Sequence, residues 1–341
     1  MMTLSQRLDA LIKLGRHLSA NDDEYLQALI QRTHYHNAWF TPDSQQRALA
    51  AIAGQFLDAQ KLAQWLAPYQ LPEVNPTSRI VGLVLAGNIP LVGFHDILCV
   101  FVSGHKAQIK LSDKDPYLLP YLLKLLARID ERTAGYFEVV ERLSGFDAVI
   151  ATGSNNSARY FEAYFGVYPH IIRHNRNAVA VLHGRETQSE LLALGNDILQ
   201  FFGLGCRSVA KIYVPRDYAF EPLLEALHEY RQIVLHDKYK HNFDYNTAIF
   251  ILNRVPHLTT GSVILTENES LQSHIAGLYY EYYDSSEELR QILDARQEEI
   301  QCIVGNFPEL NLPLVPFGQA QQPALWDYAD GVDTLAFLEE L

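Results

Sequence analysis

Between residues 79 and 183 the chain alternates short apolar runs with helix-length segments, and this alternation constrains the fold more than any other feature. Ile80–Ala86 reads IVGLVLA, Ala107–Leu111 AQIKL, Ala148–Ala151 AVIA and Ala178–Leu182 AVAVL. Runs this short, without polar alternation, suit strands buried on both faces of a sheet. Leu91–Ser103, Pro116–Ile129 and Ser157–Phe165 lie between them with the length of helices. Strand–helix alternation with short connections predicts an open, mostly parallel sheet covered by helices. Ligands of such sheets sit beyond the carboxyl ends of the strands. That rule singles out the turns at 87–90, 110–116 and 152–156.

The flanking segments have other textures. Residues 3–70 read as helices, with Asn21-Asp22-Asp23 and Thr41-Pro42-Asp43 as caps and Pro72 and Pro76 marking a linker. Leu4, Leu8, Leu11, Ile12 and Leu14 are spaced helically, without the continuous apolar core of a secretory leader. After residue 184 the α/β pattern restarts. Helices are expected over Glu190–Phe202, Phe220–Tyr230 and 286–299, and strands over Lys211–Val214, Ala248–Leu252, Val263–Leu265 and Ala276–Tyr282. The expected organisation is a helical segment 1–75 joined to an α/β domain 76–183, a second α/β domain 184–312, and a tail 313–341 packing back. Ile80–Val102 is close to membrane length, but Asn88, Pro90, His95 and Asp96 interrupt it. A buried strand, a turn and a core helix account for it without a membrane span.

Composition narrows the function classes. The 341 residues suffice for about two domains, and 48% apolar with 20% charged residues is ordinary for a globular chain. A net charge of −13 disfavours nucleic acid and anionic membranes as partners. Cys99, Cys206 and Cys302 lie too far apart in sequence for a CxxC pair, so reduced thiols in a cytoplasmic protein are expected. The thirteen histidines fall in no HExxH or Cys/His spacing, and no metal site is expected. GxGxxG, GxSxG and Walker sequences are absent, which argues against a serine hydrolase or a P-loop kinase.

Four turns carry residues suited to chemistry. Gly203-Leu204-Gly205-Cys206 lies between an apolar helix and a strand, where a thiolate can be exposed beside backbone N–H groups and Arg207. The competing reading of any cysteine is a small buried hydrophobe, and Cys99 and Cys302 are read that way. Gly87-Asn88-Ile89-Pro90 ends a buried strand, where Asn88 either donates to a developing oxyanion or merely closes the turn. Lys110 and Ser112 end the next strand, where a ribose or phosphate is a plausible partner and a solvated lysine the alternative. Thr152-Gly153-Ser154-Asn155 precedes a helix, whose N-terminal N–H groups suit a phosphate, unless Ser154 or Asn155 simply caps it.

The order of these elements resembles the aldehyde dehydrogenase superfamily. Gly87-Asn88-Ile89-Pro90, Gly203-Leu204-Gly205-Cys206-Arg207-Ser208 and Pro316-Phe317-Gly318-Gln319 are similar to its fatty-acyl-CoA reductase branch, which includes the reductase of bacterial bioluminescence. The resemblance runs from about residue 78 to the end. It implies an aldehyde dehydrogenase-like α/β fold, with a Rossmann-like cofactor domain and a catalytic domain. It also implies an NAD(P)H-dependent acyl-CoA reductase, with NADPH favoured, NADH the alternative and a coenzyme A thioester as substrate. Cys206 falls at the family's nucleophile and Asn88 at its oxyanion-stabilising Asn. Lys110 and Ser112 fall where the adenosine ribose is held, and Gly87, Gly153 and Ser154 complete the cofactor turns. Aldehyde-oxidising members carry a Glu-Leu-Gly-Gly stretch before the strand entry at Arg176-Asn177, where this chain has Ile172-Arg173-His174-Asn175. That glutamate activates water, so its absence implies transfer to a thiol such as coenzyme A in place of hydrolysis. Arg207 and Lys211 are candidates for the coenzyme A phosphates, and Leu199, Phe201, Phe202, Tyr279 and Tyr280 for an acyl tunnel, although a stripe of that kind is more often core. Two other functions fit the same residues: oxidation of an aldehyde to an acyl-CoA, and a non-catalytic acyl carrier. A homo-oligomer or an acyl-transfer partner protein is compatible with either.

Overall fold

The N-terminal helices begin where the sequence offers caps. In the computed structural model, which describes residues 1–341 apart from the side chain of Asn155, Leu4–Ala20 starts at Thr3 in a capping box with Gln6. Asp23 accepts from Leu26 N to start Glu24–His36, and Thr41 accepts from Ser44 N to start Pro42–Ala51. Asp58 caps Ala59–Leu66. Leu11, Leu14, Ile30, Leu62 and Trp65 from these helices join one apolar core with the sheet that follows.

The chain divides into two compact units, 1–175 with 323–341, and 176–322. The sheet of the first unit contains β1 (Ile80–Val84), β2 (Lys106–Lys110), β3 (Phe137–Val139), β4 (Ala148–Thr152) and β5 (His170–Arg173), all parallel, in the order β3-β2-β1-β4-β5. The connections from β1 run first to one side and then, through β4, to the other, so β1/β4 is a topological switch point. The buried helix Phe94–Val102 follows β1 after a turn, and no helix among the described residues is long and apolar enough to cross a membrane. That helix starts three residues later than Leu91–Ser103 would have it, because Leu91 sits at φ 58° in the turn.

The end of the chain belongs to this first unit. His95 bonds Leu325 O at 2.9 Å, and the Trp65 indole and the Tyr69 hydroxyl both reach the Tyr328 hydroxyl at 2.7 Å. Arg173 on β5 forms a buried ion pair with Asp96 at 2.7 Å and donates to Thr334 Oγ1 at 2.8 Å. Breaking such a pair strands a buried charge and costs about 3–5 kcal/mol.

The second unit carries β6 (Asn177–Val181), β7 (Val209–Pro215), β8 (Leu258–Thr259), β9 (Ile264–Glu267), β10 (Gly277–Tyr283) and β11 (Ile300–Gly305). Their order is β11-β6-β7-β10-β9-β8, parallel except for β8 against β9. Helices Gln188–Leu199, Glu221–His228, Asp237–Leu252 and Ser286–Ala295 accompany this sheet.

The structure departs from the sequence expectation in three places. The run at 178–182, expected in the first sheet, is β6 of the second, so the units part at 175/176 and not at 183/184. A five-residue apolar strand fits the middle of either sheet, and only its long-range partners decide. Ala248–Leu252, expected as a strand, is the last part of the helix Asp237–Leu252, begun by His236 accepting from Tyr239 N. A short apolar run does not by itself distinguish strand from helix. β3, β5, β8 and β11 are not among the expected strands; β3 has three residues, β8 two, and β5 ends in the buried Arg173.

Candidate active site

Register brings three of the expected turns to one edge of the first sheet. Val84 pairs with Lys110 on β2 and with Ala151 on β4, so the three strands end level. Leu85 N donates to Lys110 O at 3.1 Å and carries the ladder one residue further. The segments Gly87-Asn88, Leu111-Ser112 and Gly153-Ser154 leave this common edge on both sides of the switch point. Gly87 is buried, Asn88 and Ser112 are half-buried, and Lys110, Lys114 and Ser154 are exposed.

Two of these turns touch. A Cβ on Gly87 would stand 2.7 Å from Ser112 Cβ, closer than side chains approach, and a tight 3.1 Å from Lys114 Cβ. Glycine is therefore what lets the turn after β1 close on the turn after β2. Asp115 joins the same turns. Its Oδ2 accepts from Leu91 N at 2.8 Å, and its own N–H closes the turn onto Ser112 O at 3.1 Å. Burial pushes the Asp115 carboxyl up to about 6, against the pull of the Leu91 N–H. The second helix steadies the far side: His36 Nε2 lies 2.8 Å from Asp113 O, and Asn37 donates to Lys114 O at 3.2 Å.

The third turn serves its helix. Ser154 Oγ accepts from Ser157 N at 3.3 Å, so this residue caps Asn155–Phe165. Asn155, the other cap the sequence offered, lies outside the described side chains. A Cβ on Gly153 would stand 2.8 Å from both Phe161 Cε2 and Ser157 Cβ, which packs the strand end against the first turns of the helix. The first N–H groups of a helix have no intrahelical acceptor, and here Ser154 takes up one of them.

Cys206 stands in the second unit, in a turn of its own. Ser208 N donates to Gly205 O at 3.0 Å, which places Cys206 and Arg207 at the two central positions. Ser208 Oγ accepts from Gly205 N at 3.2 Å and from the Gln321 side chain at 3.1 Å. Arg207 Nε donates to Ala320 O at 2.6 Å. Cys206 is half-buried. The chain reaches this turn through three left-handed residues, Phe201 at φ 53°, Phe202 at φ 59° and Gly203 at φ 72°. Each non-glycine residue in that region costs about 1–2 kcal/mol. Packing offsets the cost: Phe201 is buried, and Phe202 stacks on His236 with ring centroids 4.4 Å apart. Strain held next to a nucleophile candidate is a common feature of active sites.

Other expectations change. Lys211 is fully buried, bonded to Asn268 O and Glu269 O at 2.9 Å and paired with Glu281, so it cannot reach a coenzyme A phosphate. Tyr280 packs on Phe220 with centroids 4.7 Å apart, and Tyr279 lies 6.0 Å from His274, as packing residues of the second sheet. Cys99 is buried, and burial raises its thiol well above the usual range.

The fold is that of aldehyde dehydrogenases. Aldehyde dehydrogenase 21 of Physcomitrella patens, solved with the reaction product succinate, superposes with a TM-score of 0.65 at 14% identity, over 91% of this chain and 75% of that one. An NAD-dependent aldehyde dehydrogenase from Sinorhizobium meliloti gives 0.64 at 13% identity, over 89% and 70%. An indole-3-acetaldehyde dehydrogenase complexed with NAD+ gives 0.61 at 15% identity, over 90% and 73%. Among curated proteins no sequence matches the chain. The sequence profile of the acyl-CoA reductase (LuxC) family matches residues 32–232, a span that holds both the level strand ends and the Cys206 turn. With more than half of its length in that match and this fold beneath it, the chain belongs to the acyl-CoA reductase (LuxC) family of oxidoreductases.

Proposed function

We propose that the protein reduces an acyl-CoA thioester to an aldehyde, with Cys206 carrying the acyl group between two half-reactions. The observation that carries this reading is the half-buried thiol at a central position of a turn whose flanks are tied by Gln321 and Ala320. Cys206 as thiolate attacks the thioester carbon. Its C–S bond forms, the bond to coenzyme A sulfur breaks, and the departing thiolate takes a proton from solvent. The Cys206 backbone N–H is suited to donate to the oxyanion, and the family resemblance gives the Asn88 amide the same role. When the acyl carbon has been reduced, the bond to Cys206 breaks and the aldehyde leaves. No carboxylate stands among Ile172-Arg173-His174-Asn175, and Arg173 is engaged with Asp96. The acyl group therefore waits for a thiol or for reduction, and hydrolysis is slow.

The residues of the first unit fit a dinucleotide. The close approach at Gly87, the exposed Lys110 and Lys114, and the helix start after β4 surround a switch point. In this reading Lys110 and Ser112 hold the adenosine ribose, and Gly153, Ser154 and the helix N-terminus face the pyrophosphate. Lys110 and Lys114 give a 2′-phosphate two cations, which favours NADPH over NADH. A bound reduced nicotinamide supplies the hydride that the acyl carbon needs. The test uses purified protein, a long-chain acyl-CoA and NADPH, with the aldehyde trapped and Cys206→Ala alongside. Aldehyde formation that requires Cys206 is expected. Aldehyde formed equally by Cys206→Ala would overturn the assignment.

A further inference from the structure

Asp197 is fully buried on the helix that leads to the thiol turn, two residues before that helix ends. The position disfavours a carboxylate twice, by burial and by the negative end of the helix dipole. It is held there by the backbone of a distant strap. Asp197 Oδ2 accepts from Gly318 N at 2.6 Å, and Oδ1 accepts from Ala320 N at 3.0 Å. The same strap grips both residues that follow the thiol: Ala320 O receives Arg207 Nε, and the Gln321 amide reaches Ser208 Oγ, which in turn holds Gly205 N. The strap is shaped for this contact, because Gly318 has φ 82° and a Cβ there would lie 3.2 Å from Ala193 Cβ. A single buried carboxylate thus fixes the segment that clamps the flanks of Cys206, more than 100 residues away in sequence.

We propose that Asp197 is a positioning residue for Cys206, acting through the strap 316–322, an inference that rests on the reading of Cys206 as the acyl-carrying thiol. Asp197 does not touch substrate; it sets where the Gly205–Ser208 backbone and the Arg207 cation stand around the sulfur. Asparagine keeps the size but turns a donor toward one of the two strap N–H groups, so one tether is lost and the strap loosens.

The test compares Asp197→Asn with wild type, and uses Gln321→Ala to release the strap from the thiol side without altering the buried carboxylate. Two quantities are read in the full-length protein: the rate of Cys206 alkylation by iodoacetamide as a function of pH, located by peptide mass spectrometry, and single-turnover acylation by acyl-CoA. A misplacement of about 1 Å at a reacting atom costs about 10²-fold, so Asp197→Asn should slow acylation by about that factor with KM near the wild-type value. The midpoint of its Cys206 alkylation profile should move upward, and Gln321→Ala should move it the same way by less. An alkylation profile unchanged in folded Asp197→Asn overturns the proposal whatever the activity does. If Asp197→Asn fails to fold, an unchanged profile in Gln321→Ala overturns it. Acylation that persists in Cys206→Ala would instead defeat the reductase reading, while the alkylation profile still reports on Asp197.

Discussion

The sheet edge of the first unit and the thiol turn of the second are built by opposite means. At the sheet edge, neighbouring segments do the work: three parallel strands end level, and Gly87 closes on Ser112 across a separation of 25 positions. At the thiol turn, the fastening comes from far along the chain, through Gln321 to Ser208 and Ala320 to Arg207. The first arrangement starts from strand register, with Gly87 letting the two turns close on each other. The second depends on a strap that has no regular structure and is fixed by a buried carboxylate. The strand ends can therefore stay level through small changes in their loops, whereas the Cys206 turn depends on contacts that no local pattern protects.

Substitutions at the sheet edge sharpen this contrast. The largest effect is expected at Asn88. Removing one oxyanion donor typically costs about 10²–10³-fold in rate, so Asn88→Ala should lower kcat by that much with KM for acyl-CoA nearly unchanged. A wild-type kcat would remove Asn88 from the chemistry and leave it as a turn residue. Gly87→Val comes next, because its side chain must displace Ser112. Overpacking of this kind costs about 1–3 kcal/mol, read as a lower thermal midpoint together with weaker nicotinamide binding. An unchanged midpoint would mean that the two turns do not need their close approach.

Lys110→Ala should act more narrowly. Loss of a hydrogen bond to a charged group is worth about tenfold or somewhat more, so KM for NADPH should rise by about tenfold while KM for NADH rises less. Equal changes for the two cofactors would point to a ribose contact alone. The smallest effect is a pH dependence carried by Asp115. Its folded value near 6 lies above the 3.8 of an ordinary aspartate, raised by burial. The folded state thus holds a proton that the unfolded chain has lost between those values. The contribution of Asp115 to stability is fully present below about 4 and is lost as pH rises through about 6. Relative to Asp115→Asn, the wild-type protein should gain thermal midpoint as pH falls from 7 to 5. Parallel melting curves for the two proteins across that range would contradict this.

The sequence carried much of the first unit and less of the second, for physical reasons. Buried parallel strands write themselves as continuous apolar runs, so β1, β2 and β4 are legible, and the caps Asp23 and Thr41 are local hydrogen-bonding chemistry. The residues at the strand ends follow from them. Sheet membership is not local: Asn177–Val181 reads the same in either sheet, and only its pairing with Val209–Pro215 and Ile300–Gly305 assigns it. The helix end at 248–252 reads as a strand because Ile249, Ile251 and Leu252 form an apolar run, although all three are exposed in the helix and trace no buried face. Cys206 was visible through its glycines. Asp197 was not, since one carboxylate in an apolar helix announces nothing until Gly318 and Ala320 are seen donating to it. Lys211 misled for the complementary reason: a lysine near a thiol suggests a phosphate partner, but this one is buried against Glu281 and two carbonyls.

The central claim is that Cys206 carries the acyl group, and one measurement addresses it directly. The protein is mixed with a long-chain acyl-CoA in the absence of nicotinamide cofactor, and released coenzyme A is counted while the modified peptide is mapped by mass spectrometry. The account predicts one coenzyme A released per chain and one acyl group on the peptide containing Cys206. An acyl group on any other residue, or no release of coenzyme A from intact protein, would contradict it.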